Sequence, residues 1–198
     1  MKRIEDIPAR LTELVRMGTV AAVDLAEARC RVLYGDPDDE GGGATTPWIR
    51  WLTPRAGHTS VWSPPSVGEQ VLLLSPDGQI GAAVALPGIV LDAFPPVGDD
   101  ATEVIQFADG ARISYDPVGH ILEAVLPAGG EALIRSPGGL TIDAAGGITL
   151  RGDVTIEGDV QVEGEIQSTG DMIADGTSLT NHTHSGVSSG GGSSGPPN

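Results

Sequence analysis

The sequence predicts an all-β protein, with a short N-terminal helix, whose C-terminal part is a strand-and-corner repeat completed only by other copies of the chain. Three observations carry this expectation. Short apolar runs, several of them alternating, are separated by Gly, Pro and Asp between residues 18 and 95. Glycine recurs at a period of six from Gly146 onward. Proline vanishes after Pro137 until the last few residues, as glycine becomes regular, and this marks a change of architecture.

The first element is the exception to the β pattern. Ile4, Ile7, Leu11, Leu14 and Val15 recur at helical spacing with charged residues between them, so residues 1–17 read as an amphipathic helix. Pro8 fits only in a first turn. The helix either packs on its own domain or docks on another subunit.

Residues 18–95 hold five strand candidates: GTVAAVD, ARCRVLY, PWIRWL, EQVLLLS and IGAAVAL. Five short strands in about 70 residues fit a small Greek-key barrel of the OB type. Trp48, Trp51 and Trp62 are assigned to its core or an interface rather than to a base-stacking platform. Residues 96–145 read as a transitional sheet region. Within it FADGARISYD forms a hairpin, with Asp109-Gly110 as a two-residue turn.

The repeat spans residues 146–180, with glycine at 146, 152, 158, 164, 170 and 176. The hexads are GGITLR, GDVTIE, GDVQVE, GEIQST, GDMIAD and GTSLTN. Ile148, Val154, Val160, Ile166 and Met172 take the third position, and Leu150, Ile156 and Val162 the fifth, so both fall on one face of a strand. Six hexads make only two coils of a single-chain left-handed β-helix. Two aliphatic side chains per hexad are too little burial to offset the ordering of six residues in so short an open-ended solenoid. Three intertwined chains, each giving one hexad per layer, close the ladder and pair its edges. A homotrimeric β-prism shaft is therefore expected. Ser168, Ala174 and Thr180 replace the aliphatic fifth position, so the shaft should narrow toward its end.

Past the last hexad, residues 181–198 form the expected apex and a fold-back tail. His182 and His184 lie two apart, so on an extended chain both imidazoles reach one point. Two ligands make no tight site, but three chains supply six nitrogens. That octahedral set disfavours zinc and suits Fe(II), Ni(II) or a similar ion. With every position taken by protein there is no place for substrate, so no catalytic role is expected. His58 and His120 stand alone and are assigned structural or solvent-facing roles.

Charge and composition restrict partners. A net charge of −16 per chain repels phosphate backbones, so no nucleic-acid partner is expected. The single Cys30 allows no disulfide within the chain, in keeping with assembly in a reducing cytoplasm. No apolar run approaches the roughly 20 residues of a bilayer span, and the N-terminus does not read as a signal peptide.

PWIRWLTPRAG, SPPSVGEQVLLLSPDG, VALPG, FADGARISYDP, the hexads and MIADGTSLTNHTHSGV together resemble the phage baseplate assembly protein V family over nearly the whole chain. That family comprises the central tail spikes of P2-like phages and of R-type pyocins. The resemblance implies a homotrimer whose barrel sits on the baseplate hub, with a β-helical shaft and a pointed apex. It implies one iron ion per trimer, ligated by His182 and His184 of each chain. Calcium or chloride also occurs in family apices, but no motif here names their ligands. It further implies a place at the virion tail tip or in a pyocin particle, and piercing of the host outer membrane on sheath contraction. A type VI secretion-like tip shares barrel and spike but carries large fused hub domains, which this sequence lacks. A hexapeptide-repeat acyltransferase with His182 or His184 as base would need many more hexads and a cofactor site.

Overall fold

A computed structural model describes residues 13–36, 42–186 and 190–191. Among these the chain is all-β, in two units: residues up to Arg135, and Ser136 onward. Most of the expected N-terminal helix lies outside the described residues. Glu13 and Leu14 are helical, but Val15–Met17, expected to end that helix, already belong to the first strand. The reason is packing. Val15, Arg16 and Met17 pair with Leu74, Leu73 and Leu72, and that ladder overrides the local helical spacing.

The barrel is built from β1 (Val15–Asp24), β2 (Arg29–Tyr34), β3 (Ala44–Thr45), β4 (Arg50–Trp51), β5 (Gln70–Leu74) and β6 (Val84–Ile89). The sheet order is β3-β2-β1-β5-β6-β4, antiparallel except for the parallel β4–β6 pair. Reciprocal hydrogen bonds between Cys30 and Ile49, both 2.9 Å, bring the residue before β4 back onto β2 and close the sheet on itself. IGAAVAL is half strand: Ile80–Ala82 form a 3₁₀ turn, and β6 begins at Val84.

Alternation decides what is buried. Val20, Cys30, Val32, Ile49, Val71, Leu73, Ala83 and Ala85 form the core, bordered by Val23, Tyr34, Trp51 and Ile80. Burial pushes the Cys30 thiol pKa up, so it stays a protonated, inert packing group. Gly18 lets β1 and β2 approach, since a Cβ there would lie 2.5 Å from Val32 Cγ1 and 2.8 Å from the Leu33 carbonyl oxygen. Trp51 packs on the core and against Trp62, with ring centroids 5.5 Å apart, while Trp48 and Trp62 are exposed. Thr46 is fully buried, and its hydroxyl accepts the Val32 N–H at 3.0 Å. Thr46→Val strands that buried donor and should cost about 1–3 kcal/mol, read as a lower urea midpoint with unchanged slope.

A second sheet follows in the same unit: β7 (Glu103–Gln106), β8 (Arg112–Asp116) and β9 (Ile121–Val125), antiparallel in chain order. The hairpin expected at FADGARISYD is present, but its turn differs. The Phe107 carbonyl accepts the Gly110 N–H, Phe107 N–H donates to Ala111, and only Gly110 has positive φ, at +89°. This is a three-residue loop, Ala108-Asp109-Gly110, ending in a glycine bulge. Ile105, Phe107, Ile113, Tyr115 and Leu122 leave an apolar face of this sheet open in the single chain.

From Leu126 to Met172 the described chain contains no strand, and every residue from Ile121 to Thr177 is exposed. The aliphatic stripe of the hexads, from Ile148 (56% exposed) to Ile166 (57%), is exposed throughout in the single chain. Gly152 and Gly158 hold φ of +122° and +147°, so the hexad corners use backbone that L-residues rarely adopt. Gly158→Ala places an L-residue at φ of +147°, where it is strained whatever the space around it. It should cost about 1–3 kcal/mol per chain, seen as a lower melting temperature of the assembled protein.

Candidate metal centre and apex

The end of the repeat departs from the strand-and-corner pattern. β10 (Ile173–Ala174) and β11 (Thr177–Ser178) pair as a two-stranded hairpin, Ile173 opposite Ser178 and Ala174 opposite Thr177. Its two-residue turn is Asp175-Gly176, with φ of +47° and +76°, the type I′ geometry that suits a right-twisted hairpin. Ala174 therefore sits in a chain reversal rather than in a further layer of a narrowing shaft, and Thr180 lies just beyond it. The Leu179 N–H donates to the Met172 carbonyl at 3.0 Å, and the Thr180 N–H donates to Asp171 Oδ1 at 3.1 Å. One further backbone rung and one side-chain bond thus extend the hairpin beyond its strands.

This reversal delivers Asn181–His184. The Asn181 N–H donates to the Ser178 hydroxyl at 2.8 Å, and Asn181 Nδ2 donates to the Thr180 hydroxyl at 3.0 Å. His182 Nδ1 lies 2.9 Å from the Ser178 carbonyl oxygen. A carbonyl can only accept, so Nδ1 carries the proton and Nε2 keeps its lone pair. The His182 and His184 rings are exposed, 5.1 Å apart between centroids and inclined at 80°.

These residues fit a shared ion. With metal–nitrogen distances of about 2.1 Å, two cis imidazoles put their ring centroids about 4.6 Å apart. The observed separation needs little adjustment. Among the described residues no cluster of three or more metal-binding side chains occurs, so one chain offers two imidazoles and no complete site. His58 and His120 are both exposed and lie in other parts of the chain.

Asp171 stands at the open end of this hairpin, where its Oδ1 accepts the Thr180 N–H. A hydrogen bond from the Ser178 hydroxyl, then those from Thr180, hold its carboxyl below the usual carboxylate range. A depressed folded-state pKa contributes stability that is present above the ordinary aspartate value of about 3.9 and is lost as pH falls further. Asp171 and Ser178 carry no expectation from the sequence. The available signal was Asp-Gly at 175–176, which marks a hairpin and makes its flanking residues partners.

Three stretches match known families in chain order. Residues 16–89 match the type VI secretion system/phage-baseplate injector OB domain. Residues 103–168 match the Gp138 β-helical trimerization domain, and residues 176–198 match the GpV apex motif. The chain is also 40% identical over 119 residues to the spike protein of Escherichia phage P2, covering 59% of this chain and 53% of that protein. The chain thus spans about half the length of the curated relative it matches.

Proposed function

We propose that this chain, which belongs with the phage-baseplate spike proteins by its three matched domains, is one subunit of a homotrimeric central tail spike. The observation that carries this reading is the stretch from Leu126 to Met172. It has regular glycine corners and an aliphatic stripe, yet no strand and no buried residue in a single chain. Such a segment acquires a core only from partners. Its overlap with a trimerization domain supports three copies, and the open face of the β7–β9 sheet lies in the same matched region.

The spike's role is mechanical and not enzymatic. The barrel seats the trimer on the baseplate hub, the shaft resists bending through its closed hydrogen-bonded ladder, and the apex leads through the outer membrane as the sheath contracts. At the apex His182 and His184 of each chain would hold one iron ion through ring nitrogens, with His182 presenting Nε2. When bound, the ion supplies a cross-link among three chain ends. The protein's contribution is to reverse the chain at Asp175-Gly176 and bring both imidazoles to one place. The spike would stand at the tail tip of a virion or of a phage-tail-like bacteriocin.

Electron microscopy of particles carrying a labelled copy of this chain tests the reading. Label is expected at the distal end of the tail tube, and particles lacking the chain should fail to breach target cells. Label confined to the capsid or sheath, or full activity without the chain, would refute it.

A further inference from the structure

We infer that the outer face of β2 and β4 is a docking surface for an acidic protein of the baseplate, with Arg29, Arg31, Arg50 and Trp48 as its contact residues. The inference rests on the spike reading above and adds the chemistry of the surface that the barrel meets.

Charge is divided unevenly along the chain. Residues 1–89 hold 8 of the 11 basic residues and 11 of the 27 acidic ones, a net charge of −3, and the remaining residues carry −13. Within the barrel three arginines are gathered at one place. Cys30 and Ile49 face each other across the closing antiparallel bridge, so Arg29 stands opposite Arg50 and Arg31 opposite Trp48. Cys30 and Ile49 are buried, which turns their neighbours outward: Arg31, Trp48 and Arg50 are exposed and Arg29 is half-buried. The main chain aims two of the heads. Arg29 Nη1 donates to the Trp48 carbonyl at 2.9 Å, and Arg31 Nε donates to the Thr46 carbonyl at 3.0 Å. The Arg31 guanidinium lies 5.9 Å from the centroid of the Trp48 ring.

Like charges directly opposite one another destabilise a sheet, and no described carboxylate relieves this block. Among the described residues the ion pair within 4 Å joins Arg16 to Glu13 instead. Asp24 is the partner of Arg29 in β1, but its Oδ1 accepts the Ala26 and Glu27 N–H groups at 3.0 and 3.1 Å. Oriented guanidinium forks beside an exposed indole suit carboxylates and an aromatic anchor, the pairing favoured at protein interfaces. Phosphates would fit the same forks, but a charge of −16 per copy opposes a long polyanion such as nucleic acid. All four residues fall in the injector OB-domain match, and none in the trimerization match at 103–168. That division favours a baseplate partner over a second copy.

The test supplies labelled full-length wild type or variants to a producer cell lacking its own copy of the chain, and counts labelled tails by electron microscopy. Arg31→Glu/Arg50→Glu should lower that count by about 100-fold. Arg31→Lys/Arg50→Lys keeps the charge without the fork and should fall between. The purified glutamate variant should keep the wild-type mass in sedimentation and the wild-type tryptophan circular dichroism. If that double change unsettles the barrel, Arg50→Glu alone, on an exposed side chain, serves in its place. Carbodiimide treatment of tails assembled with Arg50→Lys should link the introduced amine to an aspartate or glutamate of another tail protein, identified by mass spectrometry. Wild-type counts from the glutamate variant would overturn the docking face. So would a cross-link only to a second copy of the chain, no cross-link at all, or loss of the trimer with the barrel intact. A wild-type chain that enters no tail would instead overturn the spike reading, and this inference with it.

Discussion

Sedimentation of the purified protein is expected to give three times the 20.2 kDa chain mass, and the triple change Ile156→Asp/Val160→Asp/Val162→Asp is expected to reduce it to one. The three side chains are 60, 62 and 48% exposed in the isolated subunit, so the substitutions cost that subunit almost nothing. In a closed prism the same stripe faces the axis. Three carboxylates per chain would then bring nine like charges into a narrow apolar space. Burying even one unpaired charge costs several kcal/mol, so assembly should be abolished rather than weakened. The barrel should survive, because its core from Val20 to Ala85 lies wholly outside the shaft. Near-ultraviolet circular dichroism of the Trp51–Trp62 pair would show this. A wild-type monomer at micromolar concentration would contradict the proposed architecture.

The double change His182→Ala/His184→Ala is expected to take metal content from about one ion per three chains to none, by elemental analysis. The trimer should persist, since its shaft does not use these residues. Either single change leaves three nitrogens around the axis and should reduce occupancy less completely. In the wild type, protons and metal compete for the same lone pairs. The ion should therefore be released on acidification, because ligation needs the deprotonated imidazole. The Asp171 contribution is lost as pH falls below about 4. Metal retained at strongly acidic pH would rule out simple imidazole ligation.

The barrel was legible because its strands alternate strongly. Val71 and Leu73 point inward and Leu72 outward, as EQVLLLS implies once its turns are placed. The helix boundary was less legible, because Leu14 and Val15 satisfy helical spacing and strand alternation equally. Only the cross-strand partners of Val15–Met17 decide. The two Asp-Gly pairs show what spacing alone leaves out. At Asp109-Gly110 the flanking partners Phe107 and Ala111 impose a longer loop with a bulge. At Asp175-Gly176 a period of six disguised a two-residue reversal, because the glycine occupied its expected place in the repeat. The pairing of His182 and His184 could be read from their separation of two. The Asp171 and Ser178 contacts could not, because they depend on that reversal.

The bare aliphatic stripe of the unassembled subunit has a kinetic corollary. Every newly made copy displays it until two others are met, so needle formation competes with misassociation and with proteolysis of the open segment. Yield should thus depend steeply on local subunit concentration. The charge of −16 on each copy would slow indiscriminate sticking while partners are found.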